Sequence, residues 1–73
     1  MDEVLFLKTT SLSEKEREII RLIAREYSDS VIAQSLHMNE EALKRIIQSI
    51  GSKLSAQTRE EIVFNAYRQR LLP

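Results

Sequence analysis

This 73-residue chain has no cysteine, one glycine (Gly51), one proline (Pro73, its last residue) and no net charge, 11 basic residues matching 11 acidic ones. Without cysteine, neither a disulfide framework nor a thiolate metal site can staple the fold. The scarcity of glycine and proline leaves few breakers and favours an all-helical domain. Neutrality excludes a generic basic coat for nucleic acid, although charge segregated onto one face would still permit a specific binder. Val4-Leu5-Phe6-Leu7 is too short for a membrane span, and Asp2 and Glu3 are wrong for the basic start of a signal peptide. The expectation is a cytoplasmic protein. At this length there is one domain, whose core supplies only about 3–5 kcal/mol. Tight helix packing and self-association are the remaining sources of stability.

Helix-start signals are abundant by contrast. Ser13 is followed three residues later by Glu16, the spacing of a capping box, and then by Ile19, Ile20, Leu22 and Ile23. Ser28 opens a shorter segment in which Ile32, Ala33 and Leu36 face inward. Asn39 caps a third, with Glu40 and Glu41 in the first turn, where the helix dipole favours acids. Leu43, Ile47, Ile50 and Leu54 then advance as one stripe. Thr58 and Glu61 repeat the capping-box spacing before Ile62, Val63, Phe64, Ala66, Tyr67, Leu71 and Leu72. The expected architecture is therefore all-α, with helices over about 14–26, 29–36, 40–54 and 59–70. Residues 1–11 form an N-terminal arm and residues 12–73 the folded domain. A short helix turning tightly into a longer one, residues 29–54, is the pattern of a helix-turn-helix.

On the fourth helix, Ile62, Val63 and Ala66 can satisfy a core. Phe64, Tyr67 and Leu71 exceed what one small core needs, and an apolar excess on a terminal helix points to dimerisation, with plain core packing as the alternative. Away from its apolar stripe, the third helix presents Glu41, Lys44, Arg45, Gln48, Ser49 and Ser52, with Lys53 alongside. Arg and Gln can read guanine and adenine edges bidentately, whereas Lys and Ser suit phosphates. From Asn39 to Arg59 there are four basic residues (Lys44, Arg45, Lys53, Arg59) against two acidic ones (Glu40, Glu41). This segment is thus the basic part of a neutral chain, though a merely solvated helix face has similar composition.

From Leu12 to Leu72 the chain resembles the LuxR/GerE-type helix-turn-helix. LSEKEREIIRLIA is similar to that family's first helix, and Ser28, Ile32, Ala33 and Leu36 fall on its S-x-x-E-I-A-x-x-L pattern. Leu43 and Lys44 match the hydrophobic-Lys pair of its recognition helix. Ile50, Lys53 and Leu54 match its I-x-x-K-L, and Arg59, Glu61 and Ala66 its closing helix. The resemblance implies a four-helix DNA-binding domain of a bacterial transcription regulator. Its third helix would enter the major groove and its fourth would dimerise, with Lys44 and Lys53 as carried-over DNA contacts. Most relatives attach this module to a receiver or sensing domain, so the chain resembles the rarer stand-alone members. Departures fall at Val31 (family Glu), Ala42 (Thr), Ile46 (His), Glu26 (Gly) and Ala56 (Val). Val31 removes the second helix's capping box, while Ala42 and Ile46 remove polar contacts and place apolar surface on the recognition helix.

Two functions are expected to compete. The first is a homodimeric regulator of transcription that binds double-stranded DNA through Lys44, Arg45, Gln48, Ser49 and Lys53, and dimerises through Phe64, Tyr67 and Leu71. The second is a protein-interaction module that pairs with another LuxR-type protein and inhibits it. Catalysis is not expected: His37 is the only histidine and lies in a turn without a nucleophile or metal-ligand set. No cofactor or metal is expected either.

Overall fold

Each helix of this domain starts on a side-chain oxygen and ends in a left-handed residue that is not glycine. The structure is a computed structural model that describes residues 12–72. The N-terminal arm, with Val4, Leu5 and Phe6, lies outside the described residues. Those residues form four helices and no strand: α1 (Glu14–Ala24), α2 (Asp29–Ser35), α3 (Glu40–Leu54) and α4 (Arg59–Arg68).

At α1, the Ser13 N–H donates to Glu16 Oε1 at 2.8 Å and the Glu16 N–H donates to Ser13 Oγ at 3.1 Å, completing the capping box. At α2, Ser28 Oγ accepts only the Val31 N–H, at 3.3 Å, since Val31 has nothing to return. Asn39 Oδ1 accepts the Ala42 N–H at 2.7 Å and starts α3. The expected box at α4 closes one residue early: Thr58 Oγ1 accepts the Glu61 N–H, but the Glu61 carboxylate takes the N–H of Gln57 rather than that of Thr58.

The C-termini explain why α1 and α4 end two residues sooner than the apolar pattern suggests. Glu26, His37, Ser55 and Arg70 all have positive φ, between 55° and 66°. Each is the turning point of a Schellman motif, in which the next N–H reaches back to the third carbonyl from the helix end. The bonds are Tyr27 N–H to Leu22 O (3.3 Å), Met38 N–H to Ala33 O (2.9 Å), Ala56 N–H to Gly51 O (2.7 Å) and Leu71 N–H to Ala66 O (2.8 Å). These bonds satisfy carbonyls the helix cannot, and they hold side chains in a backbone region that ordinarily costs about 1–2 kcal/mol. Tyr27 lies in this turn and is exposed.

Every helix contributes to one core: Ile19, Ile20 and Ile23, then Ile32 and Ala33, then Leu43, Ile50 and Leu54, then Ile62 and Ala66, with Leu12 and Leu72 added from the flanking segments. Ile46 and Ile47 are both half-buried against it, so the stripe of α3 is broader than its four-three-four spacing implies. α1 packs against all three other helices, and α3 is braced by α1, α2 and α4. The helix-turn-helix of α2 and α3 is therefore carried on a platform built from α1 and α4.

Candidate nucleic-acid interface

With Leu43, Ile50 and Leu54 buried, the opposite side of α3 must face solvent. A helix turns about 100° per residue, which puts Glu41, Arg45, Gln48 and Ser52 in one outermost row. All four are exposed, as are Lys44 and Ser49 on either side of the row. The Asn39 cap meets an orphan donor of the first turn of α3, the Ala42 N–H, without using any side chain of this row. The outer face is thus a set of polar groups free of structural duties and held at fixed spacing by a rigid helix.

Lys53 differs from the other expected contacts. Its Nζ lies 3.0 Å from both carboxylate oxygens of Glu16. Glu16 is a buried residue, and its carboxylate also accepts the Ser13 N–H. Burial pushes its carboxyl upward, but the Ser13 N–H and the Lys53 ammonium outweigh that effect and hold it below its ordinary value. Lys53 thereby ties the last turn of α3 to the first turn of α1. Arg59 is committed in a similar way: Nη1 pairs with Asp29 at the start of α2, and Nη2 donates to the Tyr27 carbonyl at 2.6 Å. Of the four basic residues between Asn39 and Arg59, two are therefore spent inside the molecule. Lys44 and Arg45 remain on the open face beside Glu40 and Glu41, so its local charge is balanced.

One positioning residue has no signature in the sequence. Asn65, on α4, donates through Nδ2 to the Leu54 carbonyl at 2.8 Å and to the Ser55 carbonyl at 3.4 Å. It caps α3 from the neighbouring helix and fixes the angle at which α3 leaves the core. The partners of Lys53 and Arg59 lie 37 and 30 residues away in the chain, beyond the range of any local pattern.

Residues 10–66 match the family described as bacterial regulatory proteins, luxR family. The chain belongs to the LuxR family. Among curated relatives, it is 38% identical over 61 residues to the response regulator protein VraR of Staphylococcus aureus, Staphylococcus saprophyticus and Staphylococcus epidermidis. That alignment covers 84% of this chain and 29% of the relative, so the chain spans under a third of those proteins' length. No solved structure matches it. As a LuxR-family domain it places α3 as the outward helix of the helix-turn-helix, and it carries Lys44 at the end of the hydrophobic-Lys pair.

The expected dimerisation residues separate into two kinds. Phe64 and Tyr67 are 60% and 52% exposed on α4. They help line a groove together with Ile23, Ala24, Val63, Glu26, Arg59 and Glu60. The Arg68 guanidinium lies over the Phe64 ring, 5.7 Å from its centroid, and keeps one side of that ring covered. Leu71 is half-buried against the core and offers less surface than expected. His37 is exposed in the α2–α3 turn at φ 59°, a turn residue with no polar partner set around it. Among the described residues, no cluster of three His, Cys, Asp or Glu side chains is arranged to hold a metal, and no helix is long and apolar enough to cross a membrane.

Proposed function

We propose that this LuxR-family domain binds double-stranded DNA as a homodimer and regulates transcription, with α3 of each copy in the major groove. The observation that carries this reading is the outward row of α3. It offers Arg45 and Gln48 to base edges, with Lys44 and Ser49 beside them for the backbone, on a helix braced by Asn65 and by the Lys53–Glu16 pair. Phe64 and Tyr67 supply the apolar contact between copies. Two copies joined through α4 would then read half-sites about one helical turn apart. Such a regulator works where the chromosome is, in the cytoplasm.

A second reading rests on a specific observation. With Lys53 and Arg59 neutralised internally, only Lys44 and Arg45 of the four cations in this segment remain to grip phosphate, and DNA affinity becomes sensitive to any further loss. A protein that keeps the Phe64/Tyr67 surface but grips DNA weakly would pair with another LuxR-type regulator and inhibit it.

One experiment separates the two. Binding of the full chain to duplexes selected from a genomic library is measured over a salt series, for wild type and for Lys44→Ala/Arg45→Ala. Under the first reading wild type selects a duplex, and the double variant loses both affinity and salt slope, by roughly one unit of slope per phosphate contact removed. If wild type selects nothing at any salt, the second reading stands. Sedimentation of Phe64→Ser/Tyr67→Ser tests the dimer separately: a monomer is expected where wild type is a dimer, and an unchanged dimer would move the interface elsewhere.

A further inference from the structure

Glu41 stands in the outermost row of α3, one turn before Arg45, where a basic or neutral side chain would suit a phosphate-lined groove better. The scaffold makes little use of it. Asn39 already caps the helix, and Glu40 already supplies a carboxylate to the first turn. The ion pairs among the described residues are Arg21–Glu18, Lys53–Glu16 and Arg59–Asp29, so Glu41 is unpaired even though Arg45 lies one turn away. It is a solvated carboxylate at the end of the helix whose first turns meet base edges in helix-turn-helix docking.

We propose that Glu41 is a specificity-determining residue of α3, accepting a hydrogen bond from the exocyclic amino group of cytosine in the major groove. The inference rests on the DNA reading above. An ionised carboxylate has only acceptors to offer. Guanine N7 and O6 and thymine O4 are also acceptors and repel it; the amino groups of cytosine and adenine are the donors on the major-groove edge. Within its pair, the amino group of adenine is flanked by two acceptors, its own N7 and thymine O4, whereas that of cytosine has guanine O6 on one side only. Cytosine is therefore the base that best satisfies the carboxylate once the groove covers it. Glu41 works in two directions: it stabilises the complex on the matching base pair and penalises the others, in a groove whose phosphates already disfavour a negative charge.

The test is selection of full-length wild type, Glu41→Ala, Glu41→Gln and Glu40→Ala on a randomised duplex pool, followed by affinity measurements on the selected site and its single-base variants. Wild type should require a C·G pair at one position per half-site, with substitution there weakening binding roughly 5- to 100-fold. Glu41→Ala should bind all four pairs at that position within about twofold while keeping the remaining preferences. Glu41→Gln should move the preference towards adenine, which a glutamine amide can read bidentately. Glu40→Ala removes the same charge from the same helix turn but about 100° away from the outer row, and should leave base preferences as in wild type. If Glu41→Ala retains every wild-type preference, or if Glu40→Ala changes them equally, the carboxylate is not a base contact and the proposal is overturned. If neither wild type nor any variant selects a duplex, the DNA reading itself fails and this inference with it.

Discussion

Gly51→Ala pits two effects of opposite sign against each other. Gly51 is inside α3 with ordinary helical geometry, so alanine should by propensity alone stabilise the helix by about 1 kcal/mol. A Cβ at this position would stand 2.7 Å from the Ala56 carbonyl oxygen, closer than real Cβ contacts come. The obstructing atom is backbone and cannot swing away. Ala56 is pinned by its own N–H to Gly51 O at 2.7 Å, and the preceding Ser55 is already left-handed at φ 55°. Asn65 holds the same turn from α4 through the Leu54 and Ser55 carbonyls. Relief requires the α3–α4 turn to move as a unit, an overpacking effect of about 1–3 kcal/mol. With a backbone atom as the obstacle the steric effect wins, leaving a net destabilisation of up to about 2 kcal/mol and a fall in Tm of roughly 4–8 °C per kcal/mol for a domain of this size. Thermal and urea unfolding followed by far-UV circular dichroism reads this directly. Ser52→Ala is the control, one residue along on the exposed face, and should be neutral or slightly stabilising. A Gly51→Ala protein as stable as wild type, or more so, would refute the close-approach reasoning.

Further outcomes follow from the helix ends and the internal ties. Glu26→Gly and Arg70→Gly should each raise stability by about 0.5–1 kcal/mol in the same unfolding assay, because glycine takes positive φ without the Cβ penalty. Asn65→Ala should lower stability by about 1–2 kcal/mol and weaken DNA binding as well, since it leaves the Leu54 carbonyl unsatisfied and loosens the seat of α3. The folded-state pKa of Glu16 lies below its ordinary value of 4.5, so its stabilising contribution is present above that value and lost as pH falls through the depressed one. Glu16→Gln should therefore be less stable than wild type at neutral pH, by about 1 kcal/mol for a partly exposed pair, with the two unfolding midpoints converging in acid. Midpoints that stay apart at every pH would mean the carboxylate charge is not what stabilises.

The elements themselves were legible because their determinants are local. Ser13, Ser28, Asn39 and Thr58 each sit within three residues of the donor they cap, and the apolar repeats of α1 and α3 lie within single helices. The outer face of α3 was legible for the same reason: once Leu43, Ile50 and Leu54 point inward, helix geometry places Arg45 and Gln48 outward. The helix ends were less so. Glu26 and Arg70 continue an acceptable helical pattern, and only the back-bonding of Tyr27 and Leu71 shows that the chain turns there.

The sequence by itself thus determined four helices, their starting points and which side of α3 is free, since capping and periodicity act over a single turn. Tertiary structure decided which charges are available. Lys53 and Arg59 look alike with Lys44 and Arg45 in the chain, yet the first two meet Glu16 and Asp29 from distant segments and become struts. It also decided that Gly51 is needed for a close approach rather than a turn, and that Asn65 anchors α3. Ion pairing and steric contact depend on distance in space, and chain spacing within one helix carries no information about a partner thirty or more residues away.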